Sequence, residues 1–121
     1  DSNRRVVTYF NHEIKDAVFN GINWTAICRQ IVEELPKKVY ISFDIDGLDQ
    51  RYCPNTGTPV PGGLAYEQAV YLLNEIITSG REIIGFDLVE VAPGDDEWDA
   101  IVGARMLYKM CNLALKSKTN A

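Results

Sequence analysis

The sequence predicts an α/β fold in which helices pack on a mostly parallel sheet. Two apolar segments, 39–46 and 83–91, have the length and the β-branched and aromatic content of sheet strands. Over 24–35 and 69–77, apolar residues recur every three or four positions, as they do in amphipathic helices. Helices of this length between apolar strands provide the crossovers that parallel strands require.

The first third of the chain is predicted to form a strand and a helix. Arg5–Phe10 is rich in β-forming residues and predicts a short first strand. A helical turn follows, and Asn20-Gly21 ends it. The helix over 24–35 begins after Asn23, a capping residue, and is closed by Pro36.

From residue 39 onwards the predicted order is strand, loop, helix, strand and helix. The loop over 47–63 is dense in Pro, Gly, Asn and Thr, and a loop of this length in a compact domain is usually functional or disordered. Ser79-Gly80 ends the helix that follows. The strand over 83–91 is nearly continuous in apolar residues, as in a strand buried on both faces. The last helix has an apolar face made up of Ile101, Ala104, Tyr108, Cys111 and Leu115.

Length and composition restrict the class of protein. With 121 residues, the chain is one domain at most, or a part of one. Its net charge of −5 and its scattered basic residues argue against a nucleic-acid surface, and no apolar run is long enough for a membrane span or a signal peptide. Cys28, Cys53 and Cys111 lack C-x-x-C spacing, so reduced thiols in a cytoplasmic protein are expected.

The strand over 39–46 runs into acidic residues. In a strand with a period of two, Ser42, Asp44 and Asp46 share one face. Two carboxylates at the end of an apolar strand cost free energy unless a cation or strong donors neutralise them, so the pair predicts a metal site. The alternative is a solvent-facing strand end without a ligand. Glu90 ends the next strand, and if the two strands are neighbours it converges with both aspartates on one crevice.

One interpretation of this strand end is a phosphoryl-transfer site. Asp44–Gly47 resembles the nucleophile motif of haloacid-dehalogenase-like phosphohydrolases, and Gly94–Asp99 resembles their later magnesium-binding motif. The chain has no lysine between these two segments to hold a phosphate. Asp95 and Asp99 are more simply explained as acids that cap and start the last helix.

A longer set of motifs supports a second interpretation. Ser42–Asp49, Cys53–Pro59 and Pro61–Leu64 closely resemble the third signature of the ureohydrolases, the family of arginase, agmatinase and formimidoylglutamase. Asp87–Pro93 resembles the Asp-x-x-Glu-Val-x-Pro segment of the same family. The resemblance implies a three-layer α/β/α fold, with residues 1–121 as the C-terminal part of a single ureohydrolase domain.

The resemblance also implies a role for each matching residue. Asp44 matches the aspartate that bridges two manganese ions, and Asp46 matches a ligand of one ion of the pair. Such a site lowers the pKa of a bridging water and supplies hydroxide to attack a guanidinium or formimino carbon. Glu90 matches the acid that holds the cationic nitrogens of the substrate. Thr58 matches a loop residue close to the substrate, with a simple turn hydroxyl as the alternative, whereas Asp49 is expected to bind backbone amides of its own loop.

The chain also departs from the family pattern. Ala65 replaces the usual Ser or Thr at a helix start, so that helix loses a cap. The two earlier signatures of the family, which carry metal-binding histidines, are absent from the sequence. His12, the single histidine, lacks their context and is predicted to be a surface residue near a helix start. Most of the expected metal ligands are therefore missing.

These observations predict part of a manganese-dependent hydrolase of C–N bonds in guanidino or formimino compounds, inactive by itself. The expected partners are a small-molecule substrate, the N-terminal half of the domain and further copies in a homo-oligomer, with no nucleic acid and no membrane. The loop sequence Cys53–Pro59 and the last helix favour formimidoylglutamase slightly among the possible activities. A magnesium-dependent phosphohydrolase and a non-catalytic assembly module are the alternatives.

Overall fold

The structure, a computed structural model, describes residues 5–119. The chain divides into two compact units between Leu35 and Pro36. The first unit contains two helices, α1 (Asn11–Phe19) and α2 (Trp24–Glu33). The second contains, in chain order, β1 (Lys38–Asp44), a short 3₁₀ helix (Ile45–Gly47), α3 (Tyr66–Thr78), β2 (Glu82–Val89) and α4 (Trp98–Lys118).

The start of the first unit differs from its predicted structure. Residues 5–10 have no regular secondary structure, so the predicted first strand is wrong. β-forming residues stabilise a strand only when a neighbouring strand pairs with it, and Val6 is 80% exposed. The helical turn after it is a complete helix, α1, in which His12 is exposed and stacks on Phe10 with a centroid distance of 5.7 Å.

The second helix of this unit agrees with its sequence signals. The side chain of Asn23 accepts a hydrogen bond from the backbone N–H of Ala26 at 2.9 Å, which is the predicted cap. The helix ends at Glu33, three residues before Pro36. Ile27, Cys28 and Val32 are its buried residues. These apolar positions have the spacing that predicted the helix.

The second unit is built on a two-stranded parallel sheet. β1 pairs with β2 in a register that places Asp44 opposite Val89, with one irregularity between Val39 and Tyr40. The connection between the two strands contains α3, which Gly80 ends with a φ of +86°. The predicted parallel strands and their helical crossover are therefore confirmed.

The core of this unit lies on one face of the sheet. Ile41 of β1 and Ile83 of β2 line a space together with Leu73 of α3 and Met110 of α4. The prediction that the strand around 83–91 is buried on both faces is wrong, because Ile84 is 58% exposed. Within the described residues, α3 and α4 cover only one side of the sheet.

The last helix buries a different stripe from the one predicted. Its buried apolar residues are Val102, Met106, Met110 and Leu113. Every residue of the predicted buried face is exposed, namely Ile101, Ala104, Tyr108, Cys111 and Leu115. Both stripes are apolar, and helical periodicity does not determine which of two such stripes the sheet covers. None of the helices formed by residues 5–119 is long and apolar enough to cross a membrane.

The starts of the two helices in this unit agree with the predictions only in part. Ala65 makes no side-chain cap, as expected, but the side chain of Gln68 accepts a hydrogen bond from the backbone N–H of Ala65 at 2.9 Å. At α4, the carboxylate that accepts a hydrogen bond from the N–H of Trp98 belongs to Asp96, at 3.1 Å. The capping role predicted for Asp95 is therefore wrong.

Candidate functional site

The acidic end of β1 combines a strand with a tight turn. Residues of β1 alternate between exposed and covered positions, and Asp44 is its last, exposed residue. The strand stops there, so Asp46 lies in the 3₁₀ helix, and the prediction that period two places it on the same strand face is wrong. A carboxylate oxygen of Asp44 instead accepts a hydrogen bond from the backbone N–H of Asp46 at 3.1 Å. The turn therefore keeps the two aspartates together.

Electrostatics indicate that three carboxylates share this region. Partial desolvation raises the pKa of Asp44 above its ordinary value, while the N–H donated by Asp46 opposes the shift. The negative charges of Asp46 and Glu90 raise the pKa further. Asp46 and Glu90 therefore both lie close enough to Asp44 to affect it electrostatically, at the carboxyl ends of neighbouring parallel strands, as the sequence predicts.

Thr58 reaches the same region from the long loop. Its hydroxyl donates a hydrogen bond to a carboxylate oxygen of Asp46. The contact places Thr58 beside a predicted metal ligand and fixes the direction of that carboxylate. A contact between Thr58 and a substrate stays a prediction.

The loop over 47–63 is held by its own backbone, as predicted for Asp49. The two carboxylate oxygens of Asp49 accept hydrogen bonds from the N–H of Gly62 at 2.8 Å and from the N–H of Arg51 at 3.1 Å. Leu48 is fully buried, and a Cβ added to Gly63 would lie 2.6 Å from its carbonyl carbon. The two ends of the loop are therefore in direct backbone contact.

The middle of the loop is attached to the segment that follows β2. The hydroxyl of Thr56 donates to the carbonyl oxygen of Glu90 at 2.9 Å. Asn55 donates two hydrogen bonds to the carboxylate of Asp99, from its backbone N–H at 3.0 Å and from its side-chain amide at 2.9 Å. Sequence reasoning assigned Asp99 to the helix start and missed this pair, because no sequence signal relates two residues that are 44 positions apart.

Glu90 has an unusual backbone conformation. Its φ is +67°, in the left-handed region that non-glycine residues seldom adopt. The loop backbone runs past its side chain, since a Cβ added to Gly57 would lie 3.7 Å from a carboxylate oxygen of Glu90. The loop and the end of β2 therefore approach each other closely at the predicted substrate-binding acid.

One further carboxylate links the two strands close to their acidic ends. Asp87 of β2 accepts hydrogen bonds from two hydroxyls of β1, that of Ser42 at 2.8 Å and that of Tyr40 at 3.1 Å. The hydrogen bond to Asp87 is the main cause that raises the pKa of Tyr40, followed by desolvation. Asp87 is therefore engaged in holding the strand ends together.

The donor set fits part of a divalent-cation site. Asp44 and Asp46 provide hard carboxylate oxygens, the ligand type that manganese and magnesium prefer. Across residues 5–119, no group of three or more His, Cys, Asp or Glu side chains could hold a metal ion. The described residues therefore contain no complete site, and metal binding by Asp44 and Asp46 stays a prediction.

Comparisons with known sequences identify related enzymes. An N(1)-aminopropylagmatine ureohydrolase from Thermus thermophilus is 42% identical over 84 residues, which are 69% of this chain and 28% of that protein. An agmatinase from Cronobacter sakazakii is 42% identical over 92 residues, which are 74% of this chain and 29% of that protein. The chain therefore spans less than a third of the length of these curated relatives.

Solved structures show the same fold. A hypothetical agmatinase from Burkholderia thailandensis superimposes with a TM-score of 0.79 at 30% identity, covering 100% of this chain and 37% of its own. Arginase from Bacillus subtilis gives a TM-score of 0.69 at 28% identity, covering 88% and 35%. The arginase-like α/β fold predicted from the motifs is confirmed. The sequence profile of the Arginase family matches residues 5–112, nearly the whole chain, and the protein belongs to that family.

Proposed function

We propose that this chain forms part of the active site of a hydrolase that cleaves a C–N bond in a guanidino compound. The observation that carries the proposal is the convergence of Asp44, Asp46 and Glu90 at the carboxyl ends of β1 and β2, in a chain of the Arginase family. The names of the related agmatinases and aminopropylagmatine ureohydrolase favour an alkylguanidine as substrate. Formiminoglutamate, which the loop sequence favours, is the second substrate to test.

The proposed cofactor is a pair of manganese ions. Asp44 and Asp46 would hold them together with ligands from outside this chain, since the chain provides only part of a donor set. When bound, such a pair supplies a hydroxide from water near neutral pH. We further propose that the complete protein is cytoplasmic, forms a homo-oligomer and contains this chain as the C-terminal part of one domain.

The residues of this chain have three tasks in the proposed reaction. The carboxylate of Glu90 accepts two parallel N–H bonds from the planar guanidinium and so orients its carbon toward the attacking oxygen. The hydroxyl of Thr58 keeps the carboxylate of Asp46 in one direction. Asp87 fixes the relative position of the two strands through Ser42 and Tyr40.

The experiment is an assay of the full-length protein with manganese and a panel of substrates. Release of urea from agmatine and arginine, and of formamide from formiminoglutamate, identifies the substrate class. Replacing Asp46 by Asn should lower kcat/KM by at least about 100-fold, because loss of a ligand exceeds the effect of losing an outer hydrogen bond. Asp95→Asn, a change at an exposed acid, is the matched control.

Three results would contradict the proposal. A folded, manganese-loaded protein that hydrolyses none of these substrates excludes this activity. If the protein instead hydrolyses a phosphate ester with magnesium, and Asp44→Asn abolishes that reaction, the phosphohydrolase alternative is correct. Manganese that causes no rise in melting temperature would favour the non-catalytic assembly module.

A further inference from the structure

Asp99 is a buried acid with one well-defined partner outside its helix. It lies in the first turn of α4 and is only 1% exposed. Each of its carboxylate oxygens accepts a hydrogen bond from Asn55, one from the backbone N–H and one from the side-chain amide. A buried carboxylate is costly unless strong donors satisfy it, so this pair of bonds holds Asn55 in one position.

The fit of Asn55 also depends on a glycine. A Cβ added to Gly94 would lie 2.1 Å from the side-chain nitrogen of Asn55 and 2.5 Å from its amide carbon. Asn55 therefore reaches Asp99 only because residue 94 has no side chain. We call these three residues, Asn55, Asp99 and Gly94, the Asn55 clamp.

Asn55 is the first of four consecutive loop residues. The three that follow it contact the backbone of Glu90, the carboxylate of Glu90 and the carboxylate of Asp46. After Asn55, the hydroxyl of Thr56 binds the carbonyl of Glu90 at 2.9 Å, and the hydroxyl of Thr58 binds Asp46. Gly57, between them, lies against the carboxylate of Glu90. Three residues span at most about 10 Å, so a displacement of Asn55 is transmitted directly to Thr58.

We infer that the Asn55 clamp positions the proposed active site, by setting where Thr56 holds the backbone of Glu90 and where Thr58 holds the carboxylate of Asp46. The inference rests on the proposed function. Asn55 and Asp99 act through the loop and are positioning residues. A positioning role is distinguished from a general contribution to stability by its effect on manganese affinity. A double variant that exchanges the amide and the carboxylate keeps the same hydrogen bonds and should restore that affinity.

The first test is hydrogen exchange by mass spectrometry, measured on the peptide that spans 47–63 in the full-length protein. Asn55→Asp places two carboxylates against each other, and Asp99→Asn removes the acceptor charge. Each should accelerate exchange in this peptide by about tenfold to 100-fold, the effect of losing a charge-assisted hydrogen bond. The double variant N55D/D99N again pairs an amide with a carboxylate and should recover most of the protection.

Matched controls separate the clamp from general effects of the substitutions. Asp95→Asn removes an exposed acid from the same segment, and Asn112→Asp adds an acid on the exposed side of α4. Both should leave exchange over 47–63 unchanged. Gly94→Ala displaces Asn55 by steric conflict alone and should accelerate exchange, which provides an independent route if Asp99→Asn fails to fold.

The second test is the manganese affinity of the same variants, followed by electron paramagnetic resonance of free Mn²⁺. The single variants should weaken binding by about tenfold to 100-fold, as loss of a supporting hydrogen bond does in other metal sites. The double variant should return to within about threefold of the original affinity. The inference is overturned if the single variants leave exchange and manganese affinity unchanged. It is also overturned if the double variant recovers neither.

Turnover of guanidino and formimino substrates distinguishes the two proposals. If exchange and manganese affinity follow the expected pattern and no substrate is hydrolysed, the clamp is supported and the proposed function is refuted. If the protein hydrolyses agmatine and N55D/D99N restores neither exchange nor affinity, the function is supported and the clamp is refuted.

Discussion

Asp46 stays beside Asp44 although it lies outside the strand. A continued strand would have placed both side chains on one face. The 3₁₀ helix instead folds the chain back, so that Asp44 accepts a hydrogen bond from the N–H of Asp46. The hydroxyl of Thr58 donates a hydrogen bond to one oxygen of the Asp46 carboxylate. At the scale of single residues, the site is therefore held by short-range hydrogen bonds to its own acids.

Thr58→Val should weaken manganese binding to the full-length protein by about tenfold to 100-fold. Valine has nearly the shape of threonine but cannot donate the hydrogen bond that orients Asp46, and losses of this kind have that size. Calorimetric titration with Mn²⁺ measures the change. Thr58→Ser retains the hydroxyl and should bind almost normally, and Thr78→Val tests the same substitution at an exposed helix end. Equal affinities for Thr58→Val and the original protein would show that this hydroxyl supports no ligand.

Thiol reactivity should differ sharply between two cysteines. Cys53 is 1% exposed and its thiol donates to the carbonyl of Ile45 at 3.3 Å. Desolvation raises the pKa of Cys53 above its ordinary value, and the charge of Asp99 raises it further, so its reactive thiolate is scarce at neutral pH. Cys111 is exposed and should be alkylated first, as peptide mass spectrometry after brief labelling would show. The prediction fails if Cys53 is modified as fast as Cys111 in the folded protein.

At the scale of elements, the loop over 47–63 is the part whose structure is most strongly constrained. Its two ends meet through backbone hydrogen bonds, from the N–H of Asp49 to the carbonyl of Leu64 at 2.9 Å and from the N–H of Leu64 to the carbonyl of Gly47 at 3.0 Å. Its middle is bound to the end of β2 and to α4. The length of the loop predicted either disorder or function. Because hydrogen bonds hold both its ends and its middle, the loop is ordered, which is consistent with function.

Gly63→Ala should destabilise this loop by about 1–3 kcal/mol or more, the usual cost of inserting an atom into filled space. The new Cβ would lie 2.6 Å from backbone atoms of Leu48, which cannot move as a flexible side chain does. Thermal unfolding measures the loss. Gly47→Ala is the matched control, because its Cβ would meet nothing within 4 Å. Similar melting temperatures for the two variants would contradict the close approach of the loop ends.

At the scale of the whole molecule, the chain leaves much apolar surface uncovered. The sheet has two strands among the described residues, and α3 and α4 cover only one of its faces. The curated relatives are more than three times as long as the matched segment. Large apolar side chains are exposed on the sheet and on α4, namely Tyr40, Ile84, Val89, Trp98, Ile101, Leu107, Tyr108 and Leu115.

The 121-residue chain expressed by itself should therefore associate with other copies or have a low melting temperature. Exposed apolar patches of this kind and unpaired strand edges favour contacts between molecules. Sedimentation velocity over a range of concentrations, together with hydrogen exchange of the β1 and β2 amides, checks the prediction. A monomer at all concentrations, with protected strand amides, would contradict it. The full-length protein, measured in parallel, should have protected strands.

The sequence by itself determined the features that depend on neighbours within a few residues. Asn23 caps α2, Gly80 ends α3 and Asp49 accepts a hydrogen bond from the N–H of Arg51, because each of these contacts is closed by local backbone geometry. The acids at the ends of two apolar strands were likewise recognisable, since charged groups at such positions are rare without a reason. The motifs around them resemble those of the family at the level of sequence alone.

Only the tertiary structure decided which surfaces meet. The predicted strand over 5–10 has no regular structure, and α4 buries the stripe of Val102 and Met106 instead of that of Ile101 and Tyr108. The contact between Asn55 and Asp99 likewise depends on how the loop lies against α4. Composition and periodicity describe each segment separately, whereas strand pairing, burial and distant hydrogen bonds are set by the free energy of the assembled chain.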